Sequence, residues 1–147
     1  MKYLILAILL FPLFGVVVNF FFGRKWREPW PGIVATVATA SPFVLGLFLL
    51  LHILNLPITD RTIVSTYFNW ISTGPLNVDF ALLIDPVSIC MILVVTGVGS
   101  LIHLYSIGYM AKDPGFARYF IYLNLFIFMM LILVMAANLP LLFVGLM

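Results

Sequence analysis

The side chain best suited to chemistry in this sequence is His103, which lies in a charge-free apolar run from Pro86 to Ala111. Thr96 and Ser100 precede it at helical spacing, so the three side chains share one helical face. A histidine inside such a run is a candidate proton-relay group, because imidazole exchanges its proton near neutral pH. The alternative is a neutral histidine that hydrogen bonds to a neighbouring helix, and the sequence leaves both interpretations open.

Other arrangements that support catalysis are missing from the sequence. It contains no Ser/His/Asp set, no cluster with metal-ligand spacing, no P-loop and no glycine-rich dinucleotide motif. The single cysteine, Cys90, lies in the same apolar run as His103 and is predicted to be a small buried residue. A proton path across a membrane needs several titratable groups in series, and one histidine is not a series. We therefore predict no catalytic residue, no metal site and no cofactor site in this chain.

The apolar runs predict an all-α multipass membrane protein. Of the 147 residues, 65% are hydrophobic and 8% are charged, whereas a soluble domain has about a quarter charged residues. About 20 helical residues cross a hydrocarbon core of about 30 Å. Four transmembrane helices are predicted over residues 3–22, 32–54, 87–110 and 119–137, and residues 139–147 are the start of a fifth. Residues 1–147 are therefore predicted to form a single membrane domain.

Charge is concentrated in the connections between these helices. The two short loops, residues 24–27 and 112–118, hold five of the seven Lys and Arg. The positive-inside rule places these basic loops in the cytoplasm and the N-terminus outside, in the cell (inner) membrane. A net charge of +2 without a basic patch argues against a nucleic-acid partner. The lipid bilayer is the expected surroundings.

The longer connection predicts an external β-hairpin over residues 67–84, between the second and third helices. Turn residues at 73–75 separate an aromatic segment from residues 77–84, in which apolar and polar side chains alternate. Asp85 and Pro86 then predict a helix start, with Asp85 as N-cap and Pro86 at the first helical position.

Three further polar residues are predicted to hold helices together. Thr39 belongs to a stretch of small residues in the second helix that lets another helix approach closely. Asn19 is interpreted as an interhelical hydrogen-bonding group, and Asn124 in the fourth helix could reach the third.

Several motifs resemble a known family. They are found at residues 78–80 (VDF), 84–88 (IDPVS), 95–106 (VTGVGSLIHLYS), 109–110 (YM), 118–126 (RYFIYLNLF) and 138–145. Together they resemble the N-terminal part of subunit L of NADH–quinone oxidoreductase, the homologue of chain 5 of mitochondrial complex I. The resemblance implies a membrane-arm subunit that helps to couple quinone reduction to proton transport. It also implies that the NADH, flavin, iron–sulfur and quinone sites belong to partner subunits.

Two positions depart from the family pattern. The chain has Ala137-Asn138 where the family usually has Asp-Asn, and Gly145-Leu146-Met147 where the family continues Gly-Trp-Glu-Gly. The glutamate of that motif, a central ionisable residue of the family's proton channel, is therefore missing. We expect the chain to be a truncated or split N-terminal portion. The candidates that the resemblance carries over are then Asp85, His103, Lys112, Asp113 and Arg118, with structural roles expected for them.

Two other functions remain open at this point. A large subunit of an Mrp-type cation/proton antiporter shares the Tyr-Ser-Ile-x-Tyr stretch at residues 105–109, although the motifs of the third and fourth helices fit the respiratory family better. A non-transporting membrane scaffold or a remnant is the third hypothesis.

Overall fold

Five α-helices and one β-hairpin make up the computed structural model, which describes residues 1–147. In chain order they are α1 (Lys2–Phe22), α2 (Trp30–Leu54), β1 (Ile63–Thr73), β2 (Leu76–Ile84), α3 (Pro86–Tyr109), α4 (Phe116–Met135) and α5 (Leu139–Leu146). A single 3-10 turn, Ile58–Asp60, precedes β1. The helices α1 to α4 are long and apolar enough to cross a membrane. The predicted fold class is confirmed, and the predicted hairpin begins four residues earlier than expected.

The four long helices form a bundle in which α2 and α4 are central. Helix α1 packs on α2 and α4, α3 packs on the same two helices, and α2 also contacts α4. Helix α5 folds back on α4. The interior between α1 and α3 is therefore built from residues of all four long helices.

The hairpin is joined to one end of this bundle by apolar packing. Strands β1 and β2 pair in antiparallel fashion, and Gly74 in the connecting turn adopts a left-handed φ of 58°. On β2, Leu82 and Ile84 are fully buried against the helix ends. Phe80 is partly buried against the same core cluster, and its ring stacks on that of Phe68 with centroids 5.1 Å apart. The expected hairpin with one buried face is therefore present.

Contacts between the connections define two ends of the bundle. At the end we call the basic end, the backbone N–H of Lys112 donates to Glu28 Oε2 over 2.8 Å, which joins the α1–α2 loop to the α3–α4 loop. At the opposite, hairpin end, Asn138 Nδ2 in the α4–α5 connection donates to the carbonyl of Asp79 in β2 over 2.7 Å. The two basic loops thus share one end, as the sequence predicts.

Helices α3 and α5 begin with the same local arrangement. The Asp85 carboxylate accepts a hydrogen bond from the Ser88 N–H at 2.6 Å, and Asn138 Oδ1 accepts one from the Leu141 N–H at 3.1 Å. Each cap is followed by a proline in the first turn, where no N–H is needed.

Removing the Asp85 cap should weaken the bundle measurably. We expect Asp85→Ala to lower the free energy of unfolding by about 1 kcal/mol, because the Ser88 N–H loses its partner. Asp85→Asn keeps an acceptor at this position and should lose less than half of that. The measurement is denaturant unfolding of the full chain in a mild detergent. Equal losses in the two variants would contradict a capping role.

Tyr67 links the hairpin to the start of α1. Its hydroxyl donates to the Lys2 carbonyl over 2.7 Å, and Lys2 Nζ lies 5.0 Å from the ring centre. Burial raises the pKa of Tyr67 above its ordinary value of 10.0, and a hydrogen bond with Ser65 opposes part of this rise.

The raised pKa of Tyr67 predicts an alkaline loss of stability. Tyr67 ionises at lower pH in the unfolded chain than in the folded one. The contribution of the protonated side chain to the free energy of unfolding is therefore complete below pH 10.0 and is lost as the pH rises through the pKa of the folded state. We expect Tyr67→Phe to remove this part of the pH dependence and to cost up to about 1 kcal/mol at neutral pH through the lost hydrogen bond. Unfolding curves of both proteins between about pH 8 and about pH 11 test this. Parallel curves across that range would refute it.

Candidate intramembrane polar site

Polar side chains from three helices meet inside the bundle. Thr39 of α2, His103 of α3 and Asn124 of α4 are all fully buried. We call these three residues the polar triad. Buried polar groups in lipid-embedded helices are costly unless they bond to one another, so a cluster of this kind is a candidate functional site.

Asn124 is the centre of the polar triad. Its Oδ1 lies 2.8 Å from Thr39 Oγ1 and 2.9 Å from His103 Nε2. His103 Nδ1 lies 2.6 Å from the carbonyl oxygen of Gly99, one turn earlier in α3. The ring of Phe120 packs beside the imidazole, with centroids 5.9 Å apart. The imidazole is therefore fixed at both nitrogens.

These contacts require a hydrogen on Nδ1 and make the protonation of Nε2 depend on the orientation of the Asn124 amide. A carbonyl oxygen only accepts, so the contact with Gly99 requires a hydrogen on Nδ1. With Asn124 Oδ1 facing the ring, Nε2 also needs a hydrogen, and His103 is an imidazolium. With the amide rotated by half a turn, Nδ2 faces the ring and donates to a bare Nε2, and His103 is neutral. One set of heavy-atom positions thus accommodates both protonation states.

Thr39 has a partner in both orientations of the amide. Its hydroxyl lies 2.8 Å from Asn124 Oδ1 and 3.1 Å from the Ala35 carbonyl oxygen. In the first orientation the hydroxyl donates to Asn124, whose Nδ2 is then buried without a hydrogen-bond partner. In the second orientation it accepts from Nδ2 and donates to Ala35. The hydroxyl therefore reorients together with the amide.

The polar triad has no charged neighbour within the bundle. Every Asp, Glu, Lys and Arg lies in a connection, in the hairpin or in the first turn of a helix. A proton on His103 is consequently held by the dipoles of the Gly99 carbonyl and the Asn124 amide, with no carboxylate to fix it there.

Two glycines allow the helices to approach closely enough to build the polar triad. A Cβ atom at Gly15 of α1 would lie 2.5 Å from Asn124 Nδ2 and 2.6 Å from the Ala38 Cβ. A Cβ atom at Gly99 would lie 2.7 Å from Ile127 Cδ1. At Gly15 a larger side chain is excluded, because the Ala38 Cβ moves only with its helix, whereas at Gly99 only the end of the Ile127 side chain would have to shift.

Among the other polar residues noted from the sequence, some bond within their own helix and one bonds to a neighbouring helix. Thr96 is buried, but it donates to the Ile92 carbonyl of its own helix at 2.6 Å, and Ser100 likewise donates to Gly97 at 2.8 Å. Neither bonds to His103. Asn19 Nδ2 donates to the Pro31 carbonyl of α2 at 3.0 Å, the interhelical bond that the sequence predicts.

From the sequence, Thr39 is predicted to be a packing residue only. A signal was present, because Thr39 lies on the same face of α2 as Gly32 and Ala35, along which another helix can approach. Nothing in the sequence paired that face with the face that carries His103.

The other candidate residues lie outside the polar triad. Asp85 caps α3 at the hairpin end, whereas Lys112, Asp113 and Arg118 are exposed at the basic end. The prediction that Cys90 is buried is wrong: its side chain is exposed, because the first turns of α3 direct Ser88, Ile89 and Ile92 inward instead. No three His, Cys, Asp or Glu side chains are grouped so as to hold a metal ion.

Four spanning helices around a buried histidine–amide–hydroxyl cluster define a multipass α-helical membrane protein with an intramembrane polar site. Residues 70–120 match the family described as NADH-ubiquinone oxidoreductase (complex I), chain 5 N-terminus. This match and the relatives that follow show that the chain is similar, over most of its length, to the N-terminal portion of subunit L and chain 5 proteins.

Three relatives illustrate the similarity. NADH-quinone oxidoreductase subunit L of Mycobacterium tuberculosis (strain CDC 1551 / Oshkosh) is 46% identical over 134 residues, which is 91% of this chain and 21% of the relative. NADH-ubiquinone oxidoreductase chain 5 of Chondrus crispus is 39% identical over 95% of this chain and 21% of its own length. Subunit L of Escherichia coli (strain K12) is 37% identical over 99% of this chain and 23% of its own length. The chain thus spans about a fifth of the length of these relatives.

Proposed function

We propose that this chain forms the N-terminal part of a membrane-arm subunit of a proton-translocating NADH–quinone oxidoreductase. The observation that carries the proposal is 46% identity across nine-tenths of the chain to a protein named as subunit L of such an enzyme. The Mrp-type antiporter and the scaffold remain the alternatives, and none of the three named relatives favours either.

The proposal includes location and orientation. The chain would lie in the inner membrane with its basic end in the cytoplasm, since that end holds five of the seven Lys and Arg. The N-terminus and the hairpin would then lie outside. Its partners would be the other membrane-arm subunits, and the NADH, flavin, iron–sulfur and quinone sites would belong to subunits other than this one.

Within that role, His103 would act as a proton-relay group. It would take up a proton at Nε2 from a titratable group outside this chain while the Asn124 amide presents Oδ1, and would pass it to another such group when the amide turns Nδ2 toward the ring. Thr39 donates to Asn124 in the first arrangement and accepts from it in the second. Asn124 is then a positioning residue, and other subunits or helices must supply the remaining titratable groups of a proton path.

Co-purification tests the proposed function directly. The tagged full chain, expressed in its own host and extracted in a mild detergent, should bring down other subunits of the oxidoreductase. A tagged unrelated multipass protein at the same expression level is the control. Recovery of antiporter subunits would favour the Mrp-type alternative, and recovery of neither set would favour the scaffold.

A further inference from the structure

A groove between α1 and α4 opens at the basic end of the bundle. Its volume is about 440 Å³, and it is lined by Phe20, Arg24, Ala117, Arg118, Ile121 and Tyr122. Arg24 lies in the α1–α2 loop and Arg118 in the first turn of α4, whereas the apolar and aromatic residues extend along the two helices. The groove is therefore amphipathic along the direction of the helices.

The positive charge in the groove is not neutralised from within it. Arg24 and Arg118 also line an adjoining cavity of about 270 Å³, which contains the carboxylates of Glu28 and Asp113. Each carboxylate accepts one backbone hydrogen bond, Glu28 Oε2 from the Lys112 N–H at 2.8 Å and Asp113 Oδ1 from the Gly115 N–H at 2.7 Å, and neither carboxylate lines the groove itself. The groove lining therefore contains two arginines and no acidic residue.

The apolar part of the groove faces outward. Phe20 is 66% exposed and Tyr122 is 63% exposed, so their rings border the groove on the surface of the bundle. Large apolar side chains on the outer face of spanning helices are in contact with lipid chains or with another protein. An acyl chain lying between them would cover this surface.

We propose that this groove binds one anionic phospholipid, with its phosphate on Arg24 and Arg118 and an acyl chain along Phe20, Ile121 and Tyr122. Guanidinium groups match phosphate oxygens with paired hydrogen bonds, and basic pockets between spanning helices suit lipid head groups. Free phosphate matches the arginines but leaves the apolar wall uncovered. The proposal does not depend on the function proposed above.

The test measures lipid retention by the full chain. The protein is reconstituted in nanodiscs of phosphatidylcholine with a minor fraction of phosphatidylglycerol, transferred to detergent, and the retained lipid is counted by native mass spectrometry. We expect one retained phosphatidylglycerol. At about 1 kcal/mol per basic residue, the R24Q/R118Q variant should bind it on the order of 30-fold more weakly.

A matched variant separates the groove from general surface charge. K25Q/R27Q removes the same charge from the same end, but neither residue lines the groove, so retention should change little. Equal losses in the two double variants would overturn the proposal.

If R24Q/R118Q fails to fold, R24K/R118K keeps the charge without the guanidinium fork and should still weaken lipid retention. Unchanged retention in R24K/R118K would overturn the proposal. If inorganic phosphate displaces the lipid as effectively as short-chain phosphatidylglycerol does, the arginines are assigned to free phosphate. That result would also overturn the proposal.

Discussion

His103→Gln is expected, on the function proposed above, to slow proton translocation by the oxidoreductase about tenfold or more. Positioned proton-transfer groups typically contribute about 100-fold or more, so this is a small part of that range. Glutamine can hydrogen bond to Asn124 and fills a similar space, but it cannot take up a proton near neutral pH. The variant should therefore assemble normally. The measurement is the initial rate of proton uptake into membrane vesicles during NADH oxidation, normalised to the amount of assembled complex.

Ser106→Ala is the matched control for this experiment. Ser106 also lies on the inner face of α3, where its hydroxyl is 3.0 Å from the Tyr119 hydroxyl of α4. Its loss removes an interhelical hydrogen bond but no titratable group, so the proton rate should stay near that of the unmodified complex. A normal rate in His103→Gln with normal assembly would leave His103 with the neutral, helix-bonding role.

The second large effect is expected at Gly15. Gly15→Ala should lower the free energy of unfolding by about 2–3 kcal/mol, the upper part of the range for overpacking. The added Cβ would come within 2.6 Å of the Ala38 Cβ, which is part of the α2 framework and moves only with that helix. It would also press on Asn124, so α1 must move away from α2 and α4 together. Denaturant unfolding in detergent measures the loss.

Gly108→Ala provides the comparison at an open position. An added Cβ at Gly108 meets nothing within 4 Å, and the residue is exposed near the end of α3. Alanine has the higher helix propensity, so this variant should be unchanged or gain up to about 1 kcal/mol. Similar losses at Gly15 and Gly108 would show that helix contact at Gly15 is not the cause.

Much of the fold follows from sequence because lipid restricts backbone structure. An apolar run long enough to cross must be helical, since its N–H and C=O groups have no other partners. The apolar runs indicate all four spanning helices to within a few residues. They do not indicate that Cys90 is exposed, because an apolar run shows immersion in lipid but not which side of the helix faces inward. The weak amphipathicity of these helices gives no guide to that direction.

The candidate site was predictable only in part for the same reason. His103 was identifiable because an ionisable group in such a run is rare. Its partners Thr39 and Asn124 are 64 and 21 residues away, and their meeting depends on how α2, α3 and α4 are rotated about their axes. Rotation is set by close contacts such as those at Gly15 and Gly99, which exist only once the bundle has formed.

The distribution of the polar triad over three helices also bears on how the protein is made. Asn124 follows His103 by 21 residues, a delay of about 1–4 s at the usual rate of synthesis. During that interval α3 has only Gly99 of its own helix and Thr39 of the already translated α2 as partners for the imidazole. The imidazole therefore acquires its full set of hydrogen-bond partners only after α4 has been made.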